Sequence, residues 1–440
     1  METYPRAPSR FTQVPAPATA TTQQRSAMTY DAIIVGAGPG GATAATFMAE
    51  DGLRVLLIDK DRFPRDKVCG DAISGKSVEV LRRLGVVECL MQADSLGSWG
   101  ITFGAPSGDT VSIPFTTDYD RATPPTFVCP RAKFDQILLD RARTAGADIW
   151  QATAVEDLLW ENGKVAGVRI KQVPHPTSKI QHPKSIRAPL VVGADGAYSV
   201  VARSLGMQQL RAKNYAGALR AYYEGVTGFH ERHFMEIHFV DGHLPGYFWI
   251  FPMGGGRANV GVGMLSHVIK KRRVRLKELL EAFVGHPFFR DRFRQARRVG
   301  PVKGWGLPLG SKPRPMAGNG WLLVGDAASL IDPFTGEGIG NAMVGGQQAA
   351  RWARRAGDAG DYSGAFLLGF EQSLMRSLKD ELRLSHGLQR LISWQGLLNV
   401  VVRKASRSPE LADVLSSMFD DEAQRQRLLS PLFYLRLLVG

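Results

Sequence analysis

Three glycines, Gly36, Gly38 and Gly41, followed by the carboxylate of Asp59, are the first residues in this chain whose types and spacing suggest chemistry. They lie in a stretch that reads as strand, turn, helix, strand: Ala32-Ile33-Ile34-Val35, then Gly36 to Gly41, an Ala-rich segment, and Val55-Leu56-Leu57-Ile58. A tight turn asks for glycine at Gly36, close approach to a pyrophosphate asks for it at Gly38, and close helix-on-strand packing asks for it at Gly41. The anion would then rest on helix N–H groups that have no partner within the helix. Asp59 stands 23 residues after Gly36, where a carboxylate can accept from both ribose hydroxyls of an adenosine and would repel a 2′-phosphate. Dinucleotide binding is therefore expected, with Lys60 beside Asp59 included in the binding set.

Further candidates lie downstream. Cys69 sits in a polar loop, Phe63-Pro64-Arg65-Asp66-Lys67-Val68-Cys69-Gly70-Asp71, and a thiol near Lys67 at a helix start is expected to have a lowered pKa. Arg131 opens an amphipathic helix, where the dipole favours anions. A guanidinium reaching a bound phosphate or ribityl chain would account for it. Asp195-Gly196 ends one strand and Gly325-Asp326 another. Gly336 to Asn341 then opens a helix expected to run to about Arg355, its N–H groups and positive dipole end facing a planar ligand. In the segment Tyr247-Phe248-Trp249-Ile250-Phe251-Pro252, strand alternation puts Tyr247, Trp249 and Phe251 on one face and Phe248 and Ile250 on the other. Three aromatics in line make either plain sheet core or the wall of a substrate cavity.

The elements that must hold these residues suggest an α/β protein: a Rossmann-like domain, a β-sheet substrate domain and a C-terminal helical region. A chain of 440 residues exceeds one ordinary core. We expect a disordered tail at 1–28, rich in Pro, Thr, Ala and Gln, with Met28 a second plausible start. Residues 29–100, 128–205 and 295–350 are expected to form the nucleotide-binding domain, 101–127 and 206–294 the β-rich domain, and 351–440 the helical region. Asn162-Gly163 predicts a hairpin turn between Val155–Leu159 and Val165–Ile170. The remainder from about Asp361, almost wholly helical and Leu-rich and ending in Leu429 to Leu438, reads as helical packing or as the lining for a long apolar ligand.

Composition narrows the function classes. A hydrophobic share of 44% with 22% charged residues describes a soluble globular protein, and no apolar run reaches the roughly 18 residues that span a bilayer. Cys69, Cys89 and Cys129 are too few and too scattered for a disulfide framework, which suits a reducing cytoplasm. The nine histidines make no metal-type pair, His175 and His182 sitting in a Pro-rich loop, and no metal is expected. Net charge is +14, concentrated in Lys270, Lys271, Arg272, Arg273, Arg275 and Lys277 and then Arg290, Arg292, Arg294, Arg297 and Arg298. This is either a solvated face or a site for an anionic membrane surface or phosphorylated lipid. No nucleic-acid motif accompanies the charge.

Taken together, the glycine fingerprint with Asp59, the Asp195-Gly196 turn and the Gly325-Asp326 strand end resemble the FAD-dependent oxidoreductases of the para-hydroxybenzoate hydroxylase type. That resemblance implies that Gly36, Gly38, Gly41 and Asp59 hold the ADP half of FAD and that Arg131 touches its mid-portion. It places Asp326 on the ribityl hydroxyls and Gly338, Ile339 and Gly340 at the pyrimidine end. Within that group, Pro64-x-x-Lys67-x-Cys69-Gly70 and Tyr247-x-Trp249-x-Phe251-Pro252, with Gly261-x-Gly263 beyond, are similar to the geranylgeranyl reductase family. Asp71 stands where that family often has a second glycine.

The resemblance implies reduction of isoprenoid double bonds by reduced FAD, with NADPH or another carrier as electron donor. Cys69, Tyr247 and Trp249 are the expected catalytic residues, Cys69 and Gly70 lie against the cofactor, and Tyr247, Trp249, Phe251 and Pro252 face the substrate. Cys69 would relay a proton or tune the flavin. The alternatives are a monooxygenase or halogenase of the same fold, the latter needing a lysine such as Lys67 or Lys76 beside the flavin tunnel, and a non-catalytic flavoprotein or membrane-surface module.

Overall fold

The computed structural model describes residues 30–116, 118–119, 122–172, 184–207 and 211–407. The expected tail at 1–28, Met28, His175, His182 and the segment from Leu429 lie outside the described residues.

Ala32–Val35, Val55–Ile58 and Leu190–Gly193 are continuous runs of buried residues, as parallel strands covered on both faces require. They pair in parallel, with Ala32 opposite both Leu190 and Val55. The full six-stranded order is Ala317–Gly318, Trp321–Leu323, Leu190–Gly193, Ala32–Val35, Val55–Ile58, Asp148–Trp150, with only the first strand antiparallel to its neighbour. Helix Pro39–Glu50 packs on helix Ile339–Ala359 so closely that a Cβ at Gly346 would lie 2.3 Å from the Gly40 carbonyl oxygen. Leu367, Phe370, Leu374, Leu378 and Leu382 form a buried stripe at helical spacing along Gly364–Leu391 and join the same core. Each such side chain contributes on the order of 2 kcal/mol.

A seven-stranded sheet runs Arg297–Pro308, Tyr215–Glu224, Arg257–Leu265, Tyr247–Gly254, Met235–His238, Gly100–Gly104, Thr110–Pro114. Its pairs are antiparallel except Met235–His238 with Gly100–Gly104. Arg297–Pro308 belongs to this sheet through its pairing with Tyr215–Glu224, whereas the sequence boundary at 295 put it with the nucleotide-binding residues. The boundaries at 350, 127 and 100 shift as well, crossed by helix Ile339–Ala359, strand Thr126–Val128 and strand Gly100–Gly104. The hairpin over Asn162 and Gly163 forms as expected, with φ of 49° and 74° at the two residues.

One face of the large sheet buries Phe248, Ile250, Val260 and Val262 against Leu280 and Phe283 of helix Leu276–Val284 and against Phe289. The opposite face carries Tyr247, Trp249 and Phe251 toward a cavity of about 630 Å³ between the two sheets.

Candidate active site

The glycine turn forms one end of the cavity. Gly36 has φ +98°, and a Cβ there would lie 2.5 Å from the Ala194 carbonyl oxygen; at Gly41 it would lie 1.9 Å from the Gly36 oxygen. Both glycines are required by packing. Gly38 is different: the nearest atom to its Cβ position is Arg65 Nη2 at 3.8 Å, and the residue lines the cavity. The helix that follows starts at Pro39 without a side-chain cap. Asp59 is buried at the strand end, its Oδ2 accepting from Ala37 N at 2.7 Å and its Oδ1 from Asp61 N at 2.8 Å. Burial holds its carboxyl above the usual carboxylate range. Asp59 and Lys60 both line the cavity.

Arg131 also lines it. Its guanidinium is buried and forms two bonds to Asp135 one turn on, at 2.7 and 2.8 Å, so the basic helix start is balanced first by the protein itself. Arg65 shares Asp135 at 2.7 Å. Cys69 opens partly onto the cavity, but the expectation of a lowered thiol pKa is wrong. Burial pushes the thiol up, against the pull of Arg131, and the helix starts only at Gly75, with Ser74 as its cap. Lys67, whose ammonium lies 4.3 Å from the centre of the Trp305 ring, has its own pKa lowered by burial.

Asp195 and Asp326 line the cavity. The Asp195 carboxylate is engaged by the start of helix Val200–Ser204, accepting from Ser199 Oγ at 2.5 Å and Val200 N at 2.6 Å. Gly338 and Ile339 line the cavity. Gly340 does not: its N–H donates to Glu337 Oε1 at 2.5 Å, so a carboxylate of the chain itself occupies that part of the helix terminus. Burial raises the Glu337 pKa, and Lys76 opposes the rise.

At the other end, Tyr247, Trp249, Phe251 and Gly70 line the cavity together with Ile101, Phe115 and Ile237. The aromatic strand and its neighbour interlock, Tyr247 lying opposite Gly263, Trp249 opposite Gly261 and Phe251 opposite Asn259. Tyr247 donates to the Thr335 carbonyl at 3.1 Å, and a Cβ at Gly70 would lie 2.9 Å from the Phe251 ring. Pro252, expected among the substrate residues, does not line the cavity; strand alternation puts it with Phe248 and Ile250 on the buried face.

The pairing of the polar residues at the site escapes sequence reasoning. Lys76 Nζ bonds Glu381 Oε2 at 2.6 Å and Asn341 Oδ1 at 2.7 Å, joining residues far apart in the chain. Glu381 and Ser385 bring helix Gly364–Leu391 to the cavity rim. Asn259, Tyr222 and Asp71 form a buried unit behind Cys69. Lys76 and Asp71 carried a signal only through the resemblance, Asn259 one through its position two residues before the Gly261-x-Gly263 pair, and Glu381, Ser385 and Tyr222 carried none.

The donor set fits FAD. An open glycine at a helix start, a carboxylate fixed by two backbone amides, and Gly338 at a second helix start face one continuous cavity with an apolar far wall. Among the described residues no cluster of His, Cys, Asp or Glu is arranged to hold a metal, and no helix is long and apolar enough to cross a membrane.

The family described as FAD binding domain matches residues 29–351. A digeranylgeranylglycerophospholipid reductase of Thermoplasma volcanium is 31% identical over 394 residues, 88% of this chain and 92% of its own length. A menaquinone reductase of Mycolicibacterium smegmatis is 30% identical over 89% of this chain and 92% of its own. Among solved structures, a geranylgeranyl bacteriochlorophyll reductase-like protein of Thermoplasma acidophilum superposes with a TM-score of 0.76 at 28% identity, covering 91% of this chain and 99% of that one. A flavin-dependent brominase, with a TM-score of 0.75 at 22% identity over 93% of this chain and 99% of its own, shares the fold.

Proposed function

Since this chain belongs to the FAD-binding-domain family of flavin-dependent oxidoreductases, and within it to the geranylgeranyl reductases, we propose that it saturates carbon–carbon double bonds of an isoprenoid carried by a lipid, a quinone or a pigment. The observation that carries this reading is the division of one cavity between a glycine-and-carboxylate end and an aromatic wall formed by Tyr247, Trp249 and Phe251.

When bound, FAD supplies the hydride. The chain supplies the rest. Gly38, open to the cavity beside the tight turn at Gly36, would admit the diphosphate to the helix start, and Asp59 would accept from the adenosine ribose. Protonation of a trisubstituted alkene at its less substituted carbon leaves positive charge on the tertiary one, and the faces of Tyr247 and Trp249 stabilise that charge by about 0.5–2 kcal/mol each. Apolar walls keep water from trapping it. Cys69, held as the neutral thiol by its burial, keeps a proton at the cavity edge. Reducing equivalents would come from NADPH or another carrier that docks transiently. Exposed Lys270, Lys271 and Arg273 would suit peripheral contact with an anionic lipid surface.

An oxygen-using reading of the same fold is less well supported. The Lys76 ammonium is bound to Glu381 and Asn341, leaving it poorly placed to serve a halogenation. Anaerobic incubation of the pre-reduced protein with a polyprenyl lipid tests the proposal. Saturated product without oxygen is expected; product formed only with oxygen, or none at all, would overturn it.

A further inference from the structure

Behind the Cys69 loop lies a polar unit for which the chemistry above has no use. Asp71 is fully buried, in the left-handed region at φ +63°. Its Oδ2 accepts from the Tyr222 hydroxyl at 2.7 Å and from Asn259 Nδ2 at 2.9 Å. The same Asn259 amide donates to the Cys69 carbonyl oxygen at 2.9 Å, and Asn259 Oδ1 accepts from the Trp249 indole N–H at 3.0 Å. One side-chain amide therefore ties together a carboxylate, the cysteine loop and the aromatic wall. Asp71 Oδ1 is buried and has no hydrogen-bond partner among the described residues, and Asp71 does not itself line the cavity.

We propose that Asp71 is a positioning residue: through Asn259 it sets the placement of Trp249 and the Cys69 backbone, and by its charge it keeps the Cys69 thiol protonated beside the substrate. A carboxylate oxygen buried without a donor favours the protonated acid. Burial accordingly pushes Asp71 up to about 6. The groups facing it are Tyr222 and Arg220 from strand Tyr215–Glu224, Arg131 from helix Arg131–Thr144, Cys69 from its own loop and Cys129 beyond strand Thr126–Val128. Arg220, which opposes the rise more than Arg131 does, donates through Nη2 to Asp66 at 2.7 Å, and its guanidinium lies 4.0 Å from the centre of the Tyr222 ring. Ionised Asp71 raises the Cys69 pKa; once protonated, it releases that hold.

The consequence for turnover rests on the reductase reading, but the thiol chemistry does not. Full-length, flavin-loaded protein carrying Cys89→Ser would be alkylated with iodoacetamide from pH 5 to 10, the rate at Cys69 being followed by mass spectrometry. The Asp71 form is expected to show an inflection near its own titration below the thiol midpoint. Asp71→Asn is expected to abolish that inflection and lower the thiol midpoint by about one unit. Should Asp71→Asn fail to fold, Tyr222→Phe, which removes one donor and keeps the charge, is expected to move the lower inflection upward. Identical profiles in the variant and its parent would overturn the proposal. If the profiles shift as expected while the parent reduces no alkene, the reductase reading fails and the positioning role stands. Where the parent does turn over, kcat should lose its acid limb in Asp71→Asn with KM little changed.

Discussion

The Trp249 indole lies across Gly261: the two residues face each other on adjacent strands, and a Cβ at Gly261 would lie 2.1 Å from the ring. The relationship explains why an aromatic row on one strand is matched by small residues on the next. A side chain at Gly261 would lift the ring from the sheet, and with it the indole N–H that Asn259 accepts at 3.0 Å.

Gly261→Ala is therefore expected to destabilise the fold by about 1–3 kcal/mol through overpacking and to reduce alkene turnover further by displacing Trp249. Denaturant unfolding and steady-state kinetics check it. Native stability together with native turnover would mean that both the ring and the Leu219 carbonyl, whose oxygen a Cβ at Gly261 would approach to 2.2 Å, give way freely.

Asp59→Ala removes a carboxylate expected to accept from a ribose. Hydrogen bonds to charged groups are worth about 1.5–3 kcal/mol, so FAD affinity should fall by at least about tenfold. Flavin fluorescence titration measures it, with thermal unfolding of the flavin-free variant showing how much of the loss comes from the Ala37 and Asp61 amides.

Asp71 also affects stability. Its folded value is raised from 3.8 to about 6, so the native protein holds this proton more tightly than the unfolded chain does. The stabilisation is complete below about pH 4 and is lost as pH rises through about 6, amounting to about 3 kcal/mol. The melting temperature of Asp71→Asn should therefore gain on that of the parent by a few degrees between pH 5 and pH 8. A constant gap across that range would contradict the assignment.

Cys69→Ser keeps the size of the side chain while replacing a thiol with a far weaker acid. Slower alkene reduction with unchanged flavin affinity is expected, measured by single turnover of pre-reduced protein. A native rate would remove Cys69 from the mechanism.

Glu381→Gln removes the carboxylate bonded directly to the Lys76 ammonium, which is about one-fifth exposed, and leaves Glu337 as the carboxylate still acting on it. A loss of about 1–3 kcal/mol in denaturant unfolding is expected. Unchanged stability would mean that water already screens the pair.

Much of the nucleotide end was legible because a strand-turn-helix-strand unit is contiguous in sequence: Gly36, Gly38, Gly41 and Asp59 fall within 24 residues and the places they take follow from local geometry. Alternation likewise put Tyr247, Trp249 and Phe251 on the cavity face, and the same rule, carried one residue further, would have excluded Pro252. The failures are long-range. Gly340 stands at a helix start, but its amide is taken by Glu337. Cys69 was read from its neighbours Lys67 and Gly70, whereas the burial that raises its pKa comes from distant elements. Arg297–Pro308 joined the wrong domain because its partner strand lies some 80 residues earlier, at Tyr215–Glu224.

By itself the sequence determined what short-range geometry can express: which strands are buried on both faces, where the backbone must turn tightly, and which aromatics share one side of a strand. Only the tertiary structure decided which polar atoms are already paired, which carboxyls are stripped of water, and how Trp249, Asn259, Asp71 and Cys69 become one unit. Charge and hydrogen bonding act through space, and their strength depends on the surrounding dielectric, which exists only once distant segments have packed together.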